Sequence, residues 1–305
     1  MLRFLAFTII LVISMPTHAG ALASHDVQSF VIESKHAGFS YEVLLAGMPE
    51  GIARDKPVPL LVVLDGYLLG MTAIETARLM GAAGEVEPIV IAAVSPAGGF
   101  TAGNTRRLRD FSADSDMDVS KDPMIQAFLP RFEAMGLTVE EAVGGSDDFR
   151  KFLTDELLPE IRTMAQIDNA RLGIFGHSAG GAFLIEALLE GDTPFSDYLI
   201  GEAGTFLLFG TGDALLEKAV SAESLPARRV IYADSSDMRE MAPQMLEDAA
   251  GMISDIRDKV GVPVKSFTYE GETHTTMVPL FIKDSLLHMY GTGRTYADAF
   301  QGQEE

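Results

Sequence analysis

The segment from Arg171 to Gly181 constrains the fold more than any other part of the sequence. It reads Arg-Leu-Gly-Ile-Phe-Gly-His-Ser-Ala-Gly-Gly, and an apolar stretch with helical spacing, residues 182–189, follows it. A short apolar run that ends in Gly-His-Ser-Ala-Gly is typical of a buried strand that turns sharply into a helix. Gly176 and Gly180 would remove side chains that otherwise collide where the strand and the helix approach. The pattern therefore predicts Ser178 at the tip of a tight turn, with its hydroxyl above the edge of a sheet.

Apolar stretches with the length of buried strands alternate with helical patterns along most of the chain. The first two, 27–34 and 39–47, suit an antiparallel pair at a sheet edge. Six more strands are predicted at 58–64, 88–94, 171–175, 198–200, 229–233 and 264–269, with helices at 69–80, 149–161 and 280–290. This alternation predicts an α/β fold, with a mainly parallel central sheet and helices on both faces. Sites in such sheets form beyond the carboxyl ends of the strands.

Residues 1–23 have the features of an export signal. Arg3 supplies the positive charge, residues 4–15 are apolar, and small residues at 21–23 offer a cleavage site. The apolar stretch is too short to span a bilayer comfortably, so no membrane anchor is predicted. We expect a periplasmic or secreted protein with a single domain over residues 24–305.

The formal net charge of −21 excludes some classes of partner. A strongly acidic surface repels phosphate backbones and anionic lipid headgroups, which argues against binding to nucleic acids or membrane surfaces. Cysteine is absent, so no disulfide framework exists. The oligomeric state does not follow from the sequence.

A serine hydroxyl becomes a good nucleophile when a nearby base takes its proton. His177 adjoins Ser178, and His274 lies in a polar loop after the last predicted strand. The other four histidines lie in the leader, ahead of the sheet or within a helical pattern: His18, His25, His36 and His288. His274 is therefore the candidate base, in the position that hydrolases with the chain order Ser…acid…His give to theirs. The alternative is that Ser178 only caps a helix and His274 is an ordinary loop residue.

An acid that orients the imidazole should follow a strand between Ser178 and His274. Asp237 is preferred because it lies deeper in the loop after strand 229–233, and Asp234 is the alternative. Glu202, after strand 198–200, is a more distant candidate. Each of these acids could equally be solvated or cap a helix, and a Ser-His dyad without an acid also stays open.

An oxyanion hole needs two backbone N–H donors. Ala179, directly after the candidate nucleophile, supplies one, and Tyr67 in the Asp65-Gly66-Tyr67 turn is expected to supply the other. No pair of histidines has metal-ligand spacing and cysteine is absent, so neither a metal site nor a cofactor is predicted.

Several motifs in the order found here resemble an esterase family of α/β-hydrolases. This family includes siderophore trilactone esterases, esterase D (S-formylglutathione hydrolase), feruloyl esterases and the antigen 85 mycolyltransferases. The matching motifs are Leu64-Asp65-Gly66, Arg107-Leu108-Arg109-Asp110-Phe111-Ser112, the Gly144-Gly145…Phe149…Glu156-Leu157-Leu158-Pro159-Glu160-Ile161 helix, and the Gly-His-Ser-Ala-Gly turn. The resemblance covers most of residues 27–290. Ala113 stands where the family commonly has proline, and residues 114–143 form an insert that we expect to be a cap over the site.

The resemblance implies hydrolysis of a small-molecule carboxylic ester through an acyl-enzyme on Ser178. Arg107 and Arg109 could hold an anionic substrate such as a siderophore ester, or they could pair with nearby acids. Two other functions fit the same scaffold. One is acyl transfer to an alcohol, and the other is binding without catalysis.

Overall fold

The computed structural model describes residues 27–48, 56–114, 118–222, 227–295 and 298. The predicted signal peptide, residues 1–23, lies outside these ranges. Eight strands occur in them: β1 (Val27–Glu33), β2 (Ser40–Met48), β3 (Val58–Val63), β4 (Ile89–Pro96), β5 (Ile167–His177), β6 (Asp197–Gly201), β7 (Arg229–Ser235) and β8 (Val264–Tyr269).

All eight strands belong to one sheet in the order β1-β2-β4-β3-β5-β6-β7-β8. The pairs β1/β2 and β2/β4 are antiparallel, and every later pair is parallel. The predicted strands and the antiparallel edge are confirmed. Because β3, β5 and β6 are neighbours, their carboxyl ends meet at the middle of the same sheet edge.

The helices connect successive strands. They are α1 (Gly66–Ala82), α2 (Gly99–Phe111), α3 (Pro123–Ala134), α4 (Val139–Ala142), α5 (Ser146–Lys151), α6 (Leu158–Met164), α7 (Ala179–Glu190), α8 (Gly212–Ser221), α9 (Ser236–Met241), α10 (Pro243–Asp255) and α11 (Met277–Tyr290). A π-helical turn, Phe152–Leu157, joins α5 to α6, and another, Ile256–Val260, extends α10. Among the described residues, no helix has the length and apolar character needed to cross a bilayer.

Successive side chains of each central strand point to opposite faces of the sheet, where they pack into two separate apolar layers. In β3, Leu60 and Val62 enter the larger layer, whereas Leu61 and Val63 enter the smaller one. The larger layer is covered by α2, α5, α7, α8 and α10, and the smaller one by α1 and α11. Helices therefore cover both faces, as predicted, and the polar candidates lie at the ends of the strands.

The described part of the insert, residues 118–143, packs beside α2 and contributes to the larger apolar layer. Ile125 and Phe132 are buried there, and the hydroxyl of Thr105 donates to Sδ of Met135 at 2.8 Å. No described residue of the insert lines the cleft that contains Ser178. The expectation of a cap over the site therefore has no support from the contacts of these residues.

Candidate active site

Ser178 occupies a strained turn between β5 and α7. Its φ of 59° and ψ of −115° lie in a region that L-residues rarely adopt. A Cβ on Gly176 would come within 2.5 Å of the backbone oxygen of Gly180, so only glycine fits at position 176. A Cβ on Gly180 would make ordinary contacts at 3.8 Å, whereas one on Gly181 would lie 2.9 Å from the oxygen of Gly201. The need for a residue without a side chain, which was expected at Gly180, therefore applies to Gly181 instead.

A positive φ also occurs at the ends of the two neighbouring strands. Asp65, after β3, has a φ of 53°, and Glu202, directly after β6, has a φ of 37°. Only one other described non-glycine residue, Phe209, has a positive φ. Unfavourable backbone conformations cost about 1–3 kcal/mol each and cluster where function depends on them. Their location identifies this sheet edge as the candidate active site.

Glu202 is the acid that contacts the candidate base. One carboxylate oxygen, Oε2, forms a short hydrogen bond with Nδ1 of His274, and the Glu202 side chain is fully buried. The other oxygen, Oε1, accepts from the backbone N–H of Ser235 at 2.6 Å and from its hydroxyl. Burial alone would raise the pKa of Glu202, but the hydrogen bonds from His274 and Ser235 outweigh it and hold the pKa below its usual value.

The preference for Asp237 as the orienting acid is corrected by these contacts, because Nδ1 of His274 is already bonded to Glu202. Asp234, the alternative, pairs with Arg239 at 2.9 Å. Glu202 directly follows β6, which lies beside the nucleophile strand, whereas Asp234 is in β7 and Asp237 is in α9 after it, one strand further away. A dyad without an acid also does not describe this geometry.

The candidate oxyanion loop is fixed by an ion pair. Asp65 is buried, and its two carboxylate oxygens accept from Nε and Nη2 of Arg107 at 2.9 and 2.8 Å. Its backbone oxygen accepts from the N–H groups of Leu68 and Leu69. Tyr67 is the second residue of α1 and Ala179 the first of α7, so the N–H of each lies in a first helical turn, where no intrahelical acceptor exists. Both predicted donors therefore open a helix.

The two arginines expected to bind substrate have different surroundings. Arg107 lines the same cleft as Ser178 and His274. Arg109 does not line it: its guanidinium lies 3.4 Å from Asp148, and its side chain packs so closely on Gly145 that a Cβ there would come within 2.7 Å. The expectation that Arg109 binds substrate is therefore corrected, because Arg109 links α2 to α5 instead.

The cleft has a volume of about 350 Å³. Ser178 and His274 lie in it, and the side chains of Leu68, Leu69 and Val278 supply apolar walls. The ring of Tyr67 also lines the cleft and packs edge-on against Phe100, with the ring centres 5.8 Å apart. A space of this size admits one small acyl or aromatic group rather than a whole macromolecule.

His177 is buried beside the candidate base. The two imidazole ring centres lie 4.4 Å apart, and burial, reinforced by the charge of His274, lowers the pKa of His177 to about 3. Together with Glu202 the two histidines bring three potential metal-ligand atoms within 4.8 Å of one another. Sequence spacing does not indicate this cluster, because its members lie at or after the ends of three different strands.

The sheet, its helices and the serine turn define an α/β-hydrolase. A solved structure described as siderophore hydrolase EstA from Aspergillus nidulans superposes with a TM-score of 0.72 over 94% of this chain and 98% of that one, at 18% identity. A second, described as BES protein from Bacillus cereus, gives a TM-score of 0.68 over 89% and 97%, at 21% identity. At such identities the superpositions establish the fold.

Comparison with curated protein sequences finds relatives whose names describe esterases. Ferri-bacillibactin esterase BesA of Bacillus subtilis is 27% identical over 267 residues, which is 84% of this chain and 86% of that protein. A siderophore enterobactin esterase of Emericella nidulans is 29% identical over 153 residues, about half of each chain. No protein-family model matches the chain. The resemblance to the esterase family of α/β-hydrolases is confirmed, and the chain is a serine hydrolase of carboxylic esters.

Proposed function

We propose that this protein hydrolyses siderophore-type carboxylic esters through an acyl-enzyme on Ser178. His274 is the general base, and Glu202 orients it. The observation that carries this proposal is the hydrogen bond between the buried carboxylate of Glu202 and Nδ1 of His274. His274 lines the same cleft as Ser178. With Nδ1 engaged, Nε2 is the ring nitrogen left to exchange protons with the serine.

The reaction takes place in two stages. Oγ of Ser178 attacks the ester carbonyl carbon while His274 takes the hydroxyl proton, and the tetrahedral intermediate forms. The bond to the alcohol oxygen then breaks as His274 donates that proton to the leaving alcohol. Water attacks the acyl-serine with His274 again accepting a proton, which returns to Ser178 as the carboxylic acid leaves.

The oxyanion of each intermediate is stabilised by the N–H groups of Tyr67 and Ala179. Both groups belong to the first turn of a helix, so the helix dipoles add to their attraction for negative charge. The pairing of Arg107 with Asp65 holds the Tyr67 turn in place.

The substrate class is proposed from the relatives and from the cleft. Two relatives bear names that describe esterases of siderophores, and one of them matches over 86% of its length. The cleft offers an aromatic ring, apolar walls and one guanidinium, which suit an aryl or acyl group next to an ester. A periplasmic or secreted location, proposed from residues 1–23, would bring the enzyme into contact with siderophores during their uptake.

The test is covalent labelling of the purified protein by a fluorophosphonate probe. We expect one labelled residue, Ser178, with labelling abolished in Ser178→Ala and strongly reduced in His274→Ala. Turnover of p-nitrophenyl acetate should follow the same order. Full turnover by Ser178→Ala would overturn the assignment of the nucleophile.

A panel of esters tests the substrate class separately. Linear and cyclic siderophore esters, with and without iron, are compared with p-nitrophenyl and feruloyl esters by kcat/KM. We expect the siderophore esters to have the highest values. A preference for simple acyl esters would keep the hydrolase and reject the siderophore assignment.

A further inference from the structure

Three side chains that can bind a transition metal converge beside the candidate nucleophile. His177 ends β5, Glu202 follows β6, and His274 lies in the loop after β8. One ligand atom from each lies within 4.8 Å of the others. Two imidazoles and one carboxylate form the donor set of many protein zinc sites.

His177 has no part in the ester chemistry, and its burial calls for an explanation. Only 8% of the residue is exposed, and neither ring nitrogen makes a well-formed hydrogen bond with the described residues, although the backbone of His274 lies close by. A buried polar group without a good partner costs about 1–3 kcal/mol. The fold also makes room for the ring, since a Cβ on Gly201 would lie 2.7 Å from its Nδ1.

We propose that His177, Glu202 and His274 bind a borderline divalent transition metal such as Zn²⁺, and that this binding reversibly stops ester hydrolysis. The three ligand atoms all lie within 4.8 Å of one another, so small side-chain movements bring them to the spacing that Zn–N and Zn–O bonds of about 2.0–2.2 Å require. Hard cations such as Mg²⁺ prefer oxygen ligands and should not bind here. The net charge of −21 favours any cation that approaches.

Inhibition follows from the chemistry of His274 and rests on its proposed role as base. A metal on Nε2 occupies the lone pair that would accept the proton of Ser178. A metal on Nδ1 confines the ring proton to Nε2, where it blocks the same transfer. In either arrangement Ser178 loses its base, while the fold is unchanged.

Metal binding is tested first without any need for catalysis. Isothermal titration calorimetry of Ser178→Ala with Zn²⁺ should give one site per chain. The site should be lost when His177→Gln or His274→Gln is added to that background. Adding the exposed His288→Gln, the matched control, should leave binding unchanged. Absence of a one-to-one site, or its persistence in both double variants, would overturn the proposal.

Inhibition is then measured on the active protein with p-nitrophenyl acetate and buffered free Zn²⁺. We expect Zn²⁺ to inhibit, Mg²⁺ to have no effect, and a chelator to restore turnover. The Zn²⁺ concentration for half-inhibition should rise at least about tenfold in His177→Gln and stay constant in His288→Gln. An unchanged value in a folded His177→Gln protein would refute the metal site even if Ser178 and His274 act as proposed. If the unliganded protein hydrolyses no ester, the proposed function fails while the calorimetry still decides the metal site.

Discussion

The replacement Glu202→Gln tests the orienting acid with little change of volume. Oε1 of Glu202 accepts two hydrogen bonds from Ser235, one from the backbone N–H and one from the hydroxyl. The amide oxygen of glutamine must therefore face Ser235, because the amide NH₂ group cannot accept these bonds. The NH₂ group then faces Nδ1 of His274 and forces that nitrogen to be an acceptor. The ring proton consequently moves to Nε2, where it prevents proton transfer from Ser178.

The size of the effect follows from this change of tautomer and from the lost charge. Glu202 is fully buried, so water cannot substitute for the carboxylate beside the imidazolium that forms during the reaction. Loss of the acid from a serine-hydrolase triad lowers kcat by roughly 10⁴-fold. This corresponds to about 5.5 kcal/mol of transition-state stabilisation. KM for a small neutral ester should change little, because Glu202 does not line the cleft.

The assay is steady-state hydrolysis of p-nitrophenyl acetate by the wild type and matched variants. Asp237→Asn and Asp234→Asn make the same carboxylate-to-amide change at the two acids preferred from sequence alone, and both should retain wild-type kcat. Circular dichroism checks that each variant is folded. A folded Glu202→Gln protein with kcat within about tenfold of the wild type, or a large loss in Asp237→Asn, would show that Glu202 is not the orienting acid.

Other variants test the supporting contacts. Ser235→Ala should lower kcat roughly 10- to 100-fold at unchanged KM, because the triad acid loses one hydrogen bond to its charged form. Gly176→Ala should lower the free energy of unfolding in urea by about 1–3 kcal/mol or more, whereas Gly180→Ala should change it by less than about 1 kcal/mol. Arg107→Lys should slow neutral and anionic esters by similar factors if the guanidinium positions the oxyanion turn; selective loss of anionic esters would make it a substrate ligand. Burial raises the pKa of Glu186 to about 7 from an ordinary 4.5. The unfolded chain therefore loses this proton first as the pH rises, and stability should fall by up to about 1.4 kcal/mol per pH unit between these values. Urea titrations in Glu186→Gln should show a flatter dependence.

The sheet could be predicted from sequence because its information is local. Buried strands such as β3 and β4 are continuous apolar runs, and the helices between them repeat apolar residues at helical spacing. The nucleophile turn is equally local, since Gly176 and Ser178 are adjacent to the strand that they end. The base followed from its place after the last strand. These features need no knowledge of which strand lies beside which.

The orienting acid could not be chosen in the same way. Glu202, Asp234 and Asp237 all lie at or just after the ends of strands that precede His274, and a linear sequence does not give the distance of each from Nδ1. Two properties of the fold decide between them. Glu202 follows β6, the strand next to β5, which leads into Ser178. The backbone of Glu202 also adopts a φ of 37°, which the local sequence around a glutamate does not predict. Ser235, which follows Asp234 in the chain, donates its hydrogen bonds to the carboxylate of Glu202.

The strained residues Asp65, Ser178 and Glu202 end three adjacent strands, β3, β5 and β6. Each stands where a rigid parallel strand must give way within one or two residues to a polar turn. The parallel ladders fix the strand ends relative to one another, so the conformational cost at each turn is met by the packing of the sheet rather than by substrate binding. The oxyanion turn, the nucleophile and the orienting acid are thereby held in register before any ester enters. A substitution that relaxes one of these turns should therefore reduce kcat more than it reduces stability.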